Sequence, residues 1–396
     1  MSPGVATHTC ARSPPAPTST PARAKATDGA RNRHDGAMDE SETRIVIAAG
    51  GTAGHVVPAL AVAAALRAEG ASVTFIGGER AEAQLVPAAG FELLTISVEG
   101  LSRTNPLRAA RALARSARAV AGARRLLDEL RPGAVMGGGG YVAGPVGLAA
   151  ATRRIPLVLT EADSHLGLTN RALAPFARRV CLAFPPANGH QAGDRYRITG
   201  RPIPASAGAP DRASARRQLD IPADASCVLV FGGSLGARSI NLAALDAFAD
   251  GGEHILHVAG RRDYAELRAR PLRSGYDLRE YLDVEAFAGA LRAADLVVAR
   301  AGGSIFEVAA AGRPAVLIPY PHASADHQTT NARWMAEAGA AVVIADAELT
   351  AGRLAGVVDA LLADPARLQA MADASSGLAR PHAAQDIAAE LLAAAS

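Results

Sequence analysis

Two glycine-rich turns are the parts of the chain whose residue types and spacing best suit chemistry. They are residues 50–55 (GGTAGH) and residues 232–237 (GGSLGA). Glycine lets a backbone turn tightly and approach a ligand, and the free N–H groups at the start of a following helix point toward an anion. The two turns therefore predict two phosphate-binding sites, and a diphosphate is the ligand that suits them. A tight turn that binds nothing is the alternative for either one.

The elements that must hold these turns are predicted as alternating strands and helices. Apolar runs typical of buried parallel strands lie at 45–49, 73–76, 93–98, 134–136, 157–159, 180–183, 228–231, 254–258, 296–298, 315–318 and 341–344. Ala-rich segments typical of helices lie between them. This alternation predicts an α/β fold class with two doubly wound, Rossmann-like domains that face one cleft.

Changes in composition predict the domain boundaries. Residues 1–43 are rich in Pro, Ala, Thr, Ser and Arg and poor in large apolar side chains, so we expect a disordered tail. The stretch 201–210, rich in Pro and Ala, is the predicted linker between an N-terminal domain, 44–200, and a C-terminal domain, 211–375. A C-terminal helix is expected at 376–396.

The overall composition disfavours several classes of function. Aromatic residues make up 4% of the 396 residues and the formal net charge is +3, which argues against a nucleic-acid partner. Cys10, Cys181 and Cys227 lack CxxC spacing, which argues against a disulfide framework or a zinc site. Neither glycine turn has the spacing of a dinucleotide fingerprint, so a dehydrogenase is disfavoured. No run approaches the roughly 20 apolar residues of a membrane span.

A basic stretch stands out from this nearly neutral composition. No acidic residue lies between Gly100 and Leu127, and the arginines of the stretch include Arg103, Arg108, Arg111 and Arg115. On a helix the last three fall on one stripe. The stripe is either a solvated helix face or a surface that docks on anionic lipid, with Leu101 and Leu107 as apolar anchors.

Six motifs in order resemble the MurG family of UDP-N-acetylglucosamine transferases, and the similarity extends over residues 44 to 390. The motifs are 50–59 (GGTAGHVVPA), 138–145 (GGGYVAGP), 167–170 (GLTN), 231–237 (FGGSLGA), 300–307 (RAGGSIFE) and 319–328 (PYPHASADHQ). The resemblance implies the GT-B fold, with the active site between two Rossmann-like domains. It also implies inverting transfer of N-acetylglucosamine from UDP-N-acetylglucosamine to lipid I, giving lipid II, without a metal or other cofactor. The implied location is the cytoplasmic face of the cell membrane, as a peripheral protein, with a cell-wall synthesis complex as a possible partner.

The resemblance also implies where the donor binds. Ser234 matches a contact to the diphosphate, Leu282 a backbone contact to the uracil, Glu307 an acceptor for both ribose hydroxyls, and Gln328 a contact to the transferred sugar. The implied donor site further includes Thr52, Ala53, Gly54, Asp163, Arg201 and Ser304. Glu307 has the alternative role of a first-turn carboxylate favoured by the helix dipole, and Gln328 that of a helix cap.

Two positions depart from the family pattern. Asp163 stands where many members have an asparagine that contacts the acceptor side or the sugar. The usual Gly-Asn-Pro-Val-Arg becomes Gly-Arg-Pro-Ile-Pro at 200–204, which removes the final arginine and introduces Arg201. From this position a basic group can still reach a phosphate.

His55 is the first candidate for the base that accepts a proton from the attacking hydroxyl. It follows the first glycine turn, where a helix N-terminus is expected to lower its pKa. A hydrogen bond to the acceptor diphosphate and a purely structural contact are its other possible roles. Asp163 and Glu161 are second candidates, because they end a predicted strand at the cleft. The same two carboxylates could instead hold a divalent metal.

Two other functions fit the same motifs. One is a GT-B transferase that uses another lipid acceptor, which the basic stretch and glycine turns cannot distinguish from the first. The other is a non-catalytic sensor of nucleotide sugars, which would bind UDP without turnover.

Overall fold

The computed structural model describes residues 42–97, 106–185, 193–204, 211–233, 235–323 and 326–396, except for the side chains of 106–116. The chain from Glu42 to Ser396 forms one compact unit. Of the predicted tail, only the last two residues are among those described.

The first half of this unit is a seven-stranded parallel sheet in the order β3-β2-β1-β4-β5-β6-β7. Its strands are β1 (Arg44–Ala48), β2 (Ser72–Gly77), β3 (Glu92–Thr95), β4 (Ala134–Gly137), β5 (Leu157–Glu161), β6 (Arg179–Leu182) and β7 (Tyr196–Ile198). The helices between them are α1 (Ala53–Ala68), α2 (Ala81–Ala88), α3 (Pro106–Leu130), α4 (Gly140–Arg153) and α5 (Leu168–Leu173).

Both faces of this sheet are buried, as expected for parallel strands covered by helices. Ile45 and Ile47 pack on the side of α1, and Val46 and Ala48 pack on the side of α4. Side chains alternate along a strand, so an uninterrupted apolar run supplies both cores.

The second half is a six-stranded parallel sheet in the order β10-β9-β8-β11-β12-β13. Its strands are β8 (Cys227–Phe231), β9 (His254–Val258), β10 (Tyr276–Arg279), β11 (Leu296–Ala299), β12 (Ala315–Leu317) and β13 (Ala341–Val343). The helices are α6 (Arg212–Gln218), α7 (Arg238–Ala247), α8 (Tyr264–Leu267), α9 (Val284–Ala293), α10 (Ile305–Ala310), α11 (His327–Glu337), α12 (Ala351–Leu362) and α13 (Pro365–Leu378).

The last helix, α14 (Ala383–Ala395), packs on the first sheet rather than the second. Ile387 and Leu391 join the core that contains β1, and Glu390 accepts a hydrogen bond from Arg179 Nε at 2.8 Å. The helix begins later than the expected residue 376 because α13 continues to Leu378 and a short segment containing Pro381 separates the two. The end of the chain therefore closes the first domain.

The sequence patterns do not predict β7 and β10. Both strands lie at an edge of their sheet, where half-exposed positions carry polar residues and no long apolar run is needed. Among the described helices, none is both long enough and apolar enough to cross a bilayer.

Candidate functional site

The functional side chains gather where the carboxyl ends of the two sheets meet, as expected for doubly wound folds. A first cavity of about 720 Å³ is lined mainly by the first domain, including His55, Gly139 and Asp163. A second cavity of about 370 Å³ is lined mainly by the second domain, including Glu307 and Gln328. Residues of both domains line each cavity.

The first glycine turn connects β1 directly to α1. Gly51 has a φ of 110°, which only glycine adopts without strain. Thr52 is the N-cap residue of α1, and Ala53 and Gly54 begin the helix. The first amides of a helix lack partners within it, so those of 52–54 are available to an anion. Of these three predicted residues, Gly54 lines both cavities and Ala53 lines the second.

His55 lies in the first turn of α1 and lines the first cavity. Burial and the positive charge of Arg201 lower its pKa. The direction is the one expected from the sequence, but the largest cause is burial rather than the helix N-terminus. A neutral imidazole at physiological pH follows, which is the form that a base requires.

A contact with Thr52 suits one tautomer of His55, in which Nε2 can act as the base. Its Nδ1 lies 3.2 Å from Thr52 Oγ1. If Nδ1 carries the proton and donates it to this oxygen, the lone pair remains on Nε2. That tautomer leaves Nε2 free to accept a proton from a substrate.

The two carboxylates predicted as second candidates for the base, Glu161 and Asp163, have different surroundings in the structure. Glu161 is buried and accepts hydrogen bonds from the amides of Asp163 and Gly167 and from Asn170 Nδ2, at 3.2, 2.8 and 2.9 Å. Burial raises the pKa of Glu161. Its oxygens therefore serve to shape the loop after β5.

Asp163 lines the first cavity, as Glu161 does, but its carboxylate is the more exposed of the two. Its side chain is 48% exposed, and Oδ1 lies 4.0 Å from Nε2 of His327, at the start of α11 in the second domain. The sequence reasoning did not single out His327, because nothing in its local pattern signals a contact across the cleft. Among the described residues, no group of three or more His, Cys, Asp or Glu side chains is arranged to hold a metal ion.

Arg201 lies at the junction of the two cavities and lines both. Its Nη2 donates a hydrogen bond to the carbonyl of Gly54 at 2.6 Å. On the other side, a Cβ added to Gly303 would lie 2.4 Å from its Cζ, so the guanidinium rests against the loop that precedes α10. The charges of Glu307, Asp163 and Glu161 act on Arg201. One cation thus stands between the two domains.

The second glycine turn, after β8, is closed by close backbone contacts. A Cβ added to Gly236, whose φ is 82°, would lie 2.0 Å from the carbonyl oxygen of Ala259. Only glycine fits there. The predicted diphosphate contact, Ser234, lies outside the described residues. Its neighbour Gly233 lines the second cavity.

Glu307 and Ser304 are brought to the second cavity by the start of α10. Ser304 is the N-cap residue and Glu307 lies in the first turn. Burial raises the pKa of Glu307 to about 7, although the charge of Arg201 opposes the shift. Among the described residues, none of the hydrogen bonds involves its carboxylate. A carboxylate that merely capped the helix would bond to its amides, whereas this one is left to accept hydrogen bonds from a ligand.

Gln328 is the second residue of α11 and does not cap it. Its Oε1 accepts a hydrogen bond from the Tyr320 amide at 2.9 Å, and its Nε2 lies toward Gly302 in the second cavity. Leu282 is buried next to the same cavity, directly before Asp283, whose carboxylate caps α9. Both predicted donor residues therefore reach the cavity of Glu307.

The basic stretch that was predicted to dock on the membrane lies mostly outside the described residues. Arg103 is not described, and for Arg108, Arg111 and Arg115 only the backbone is, within α3. The described end of α3 packs Ala123 and Leu127 against the core of the first domain.

Comparison with known proteins agrees with the two-domain architecture. Residues 45–182 match the N-terminal domain of glycosyltransferase family 28, and residues 227–390 match its C-terminal domain. A UDP-N-acetylglucosamine--N-acetylmuramyl-(pentapeptide) pyrophosphoryl-undecaprenol N-acetylglucosamine transferase of Moorella thermoacetica is 43% identical over 359 residues. That match covers 87% of this chain and 97% of the relative. The protein of the same name from Halorhodospira halophila is 43% identical over 353 residues, covering 87% and 96%.

Solved structures show the same GT-B architecture. The crystal structure of Acinetobacter baumannii MurG superposes with a TM-score of 0.71 at 30% identity, covering 89% of this chain and 99% of that one. The calicheamicin glycosyltransferase CalG4, at 20% identity and a TM-score of 0.65, shares the fold. The family matches and the identity to these relatives show that the chain belongs to glycosyltransferase family 28, as a member of its MurG family of N-acetylglucosamine transferases.

Proposed function

We propose that the chain transfers N-acetylglucosamine from UDP-N-acetylglucosamine to lipid I, undecaprenyl-diphospho-N-acetylmuramoyl-pentapeptide, and so forms lipid II. The observation that carries this proposal is the meeting of two cavities at Arg201, each next to a glycine turn at the start of a helix. Both substrates carry a diphosphate, and a cleft with two such turns suits two diphosphates.

The donor occupies the second cavity in this proposal. Glu307 accepts hydrogen bonds from both ribose hydroxyls, the backbone at Leu282 contacts the uracil, and Nε2 of Gln328 donates to the transferred sugar. Ser304 lies by the diphosphate, near Arg201, and the resemblance assigns Ser234 to the same diphosphate. The names of the relatives support the donor, and the position of Glu307, Leu282 and Gln328 around one cavity supports their roles.

The acceptor occupies the first cavity, with its diphosphate against the amides of Thr52, Ala53 and Gly54, which the resemblance alone had assigned to the donor site. A hydroxyl of the acceptor sugar attacks the anomeric carbon and gives its proton to Nε2 of His55. The bond from that carbon to the diphosphate oxygen breaks, and UDP leaves with the electron pair. Arg201 and the helix start beyond Gly233 stabilise the charge that develops on UDP.

Asp163, the second candidate for the base, has a supporting role in this mechanism. It faces the same cavity as His55, and its negative charge raises the pKa of the imidazole while Arg201 lowers it. We assign it to stabilising the protonated imidazole after transfer, or to binding the acceptor directly. No metal is needed for any of these steps.

We propose further that the reaction takes place at the cytoplasmic face of the cell membrane, with the chain as a peripheral protein, as the resemblance and the lipid acceptor imply. The stretch between Gly100 and Leu127, which has arginines and no acidic residue, supports electrostatic docking on anionic lipid. Assembly with other cell-wall synthesis proteins is also part of this proposal, on the ground of the resemblance alone.

Binding to anionic vesicles is expected to weaken with salt. A double change, Arg108→Glu with Arg111→Glu, should lower the affinity at least about tenfold, since each charge near the surface contributes about 1 kcal/mol. Sedimentation with vesicles of phosphatidylglycerol and phosphatidylcholine measures this, and Arg367→Glu, on the exposed side of α13, is the matched control. Binding that ignores both salt and the double change would contradict the docking surface.

Product analysis tests the reaction itself. We expect UDP release and a new disaccharide lipid only when UDP-N-acetylglucosamine and a short-chain lipid I analogue are both present. Transfer to a different lipid would favour the alternative acceptor. Tight UDP binding without any transfer would favour the non-catalytic sensor.

A further inference from the structure

Glu82 is a buried carboxylate to which the reaction above assigns no role. It lies on α2 with 0% of its surface exposed. Its oxygens accept hydrogen bonds from the Gly51 amide at 2.8 Å, the Gly78 amide at 3.0 Å and the Tyr141 hydroxyl at 2.8 Å. These donors come from the segments that follow β1, β2 and β4. One side chain thus joins three loops at the carboxyl edge of the sheet.

Two of the three loops form the wall around His55. A Cβ added to Gly140 would lie 1.8 Å from the Gly50 carbonyl oxygen, so the loops after β1 and β4 are in direct contact. A Cβ added to Gly139 would lie 2.7 Å from Cδ2 of His55, so the second loop also lies against the imidazole ring. The orientation of His55 therefore depends on how these loops are held together.

The hydrogen bonds of Glu82 also limit what the first glycine turn can bind. Burial raises the pKa of Glu82, but its hydrogen bonds with Gly51, Tyr141 and Gly78 lower it by more, so the carboxylate is ionised. An ionised carboxylate accepts hydrogen bonds and donates none. The Gly51 amide is thus committed to the protein, and an acceptor diphosphate meets the amides of 52–54 instead.

We propose that Glu82 is a positioning residue for the transfer: it fixes the first glycine turn and the Tyr141 segment in one arrangement, so that His55 faces the acceptor before the acceptor binds. This inference rests on the proposed function for its effect on turnover. Its structural content, the locking of the two loops, does not depend on which acceptor is used. A preset geometry matters because a displacement of about 1 Å can cost about 10²-fold in rate.

Tyr141→Phe and Glu82→Gln test the proposal in the full chain. The first removes one hydrogen bond at nearly constant volume. The second removes the charge and leaves one amide without an acceptor, because the new NH₂ group cannot accept. Glu69→Gln, at the exposed end of α1, is the matched control.

Hydrogen exchange of the peptide covering 50–55, measured without substrates, should be about tenfold faster in Tyr141→Phe and faster still in Glu82→Gln. With the lipid I analogue, kcat should fall about tenfold and about 10²-fold respectively. The dissociation constant of UDP-N-acetylglucosamine should stay within about twofold of wild type, since Glu307, Leu282 and Gln328, to which we assign the donor, all belong to the second domain. Glu69→Gln should change none of these.

Unchanged exchange in both variants would overturn the proposal, as would kcat and donor affinity falling together with the melting temperature. In that last case Glu82 would be merely structural. If wild type fails to transfer to the analogue, the proposed function fails, while the exchange measurement still decides whether Glu82 locks the loops.

Discussion

Replacing His55 with alanine is expected to lower kcat by about 10²- to 10⁴-fold, the range typical of a lost general base. The dissociation constant of UDP-N-acetylglucosamine should change less than about twofold, because Glu307, Leu282 and Gln328, to which we assign the donor, line the other cavity. Pre-steady-state transfer with the lipid I analogue and calorimetry with the donor measure the two quantities separately.

His382→Ala is the matched control for this change. His382 also stands at the start of a helix, but it is exposed and lines neither cavity. Thr52→Val should reproduce part of the His55 loss, because it removes the oxygen that holds Nδ1. Equal losses of kcat and donor affinity in His55→Ala would contradict the base and favour a binding role.

Replacing Glu307 with alanine is expected to weaken UDP-N-acetylglucosamine binding by about 10²-fold or more, since two hydrogen bonds to a charged group are lost. Glu285→Ala is the control, because Glu285 is an exposed carboxylate in the first turn of α9. A comparable loss in both variants would mean that Glu307 acts only through the helix dipole. Isothermal titration at pH 8 measures the difference.

The pKa of Glu307 predicts how donor binding responds to pH. Burial raises this pKa to about 7 in the free protein, and the ionised form is the one that accepts both ribose hydroxyls. The dissociation constant should therefore rise about tenfold between pH 8 and pH 6, following the protonated fraction. Glu307→Gln should bind weakly and show no such dependence. A flat profile in wild type would contradict the assignment.

The raised pKa of Glu307 also affects the stability of the fold. As the pH rises, donor binding becomes tighter but the folded state becomes less stable. The folded pKa of Glu307 is above its unfolded value of 4.5. The proton therefore stabilises the fold below pH 4.5, and this contribution is lost as the pH rises through about 7. Glu307→Gln should accordingly melt at a higher temperature than wild type at pH 8, while binding donor poorly.

Much of the fold was predictable because its signals are local. β1 and β8 are uninterrupted apolar runs, and each is followed by glycines whose positive φ the turn requires. Parallel strands buried on both faces leave this pattern in any sequence. The edge strands β7 and β10 leave no such pattern. Each has a neighbouring strand on one side only and is partly exposed, so its sequence does not need a long apolar run.

The rest of the site depends on contacts between distant parts of the chain. Arg201 meets a carbonyl 147 residues away, and Glu82 meets Gly51 and Tyr141 at separations of 31 and 59 residues. The return of α14 to the first sheet is a contact of the same kind. Periodicity and turn chemistry describe near neighbours only, so these partners emerge from the tertiary structure.

UDP release with and without a short-chain lipid I analogue, in wild type and Glu307→Ala, tests the central claim most directly. Wild type should release UDP from UDP-N-acetylglucosamine only when the analogue is present, and Glu307→Ala should lose that release at a donor concentration near the wild-type KM. Release that does not depend on the analogue, or that survives in Glu307→Ala, would contradict a transferase that holds its donor in the second cavity.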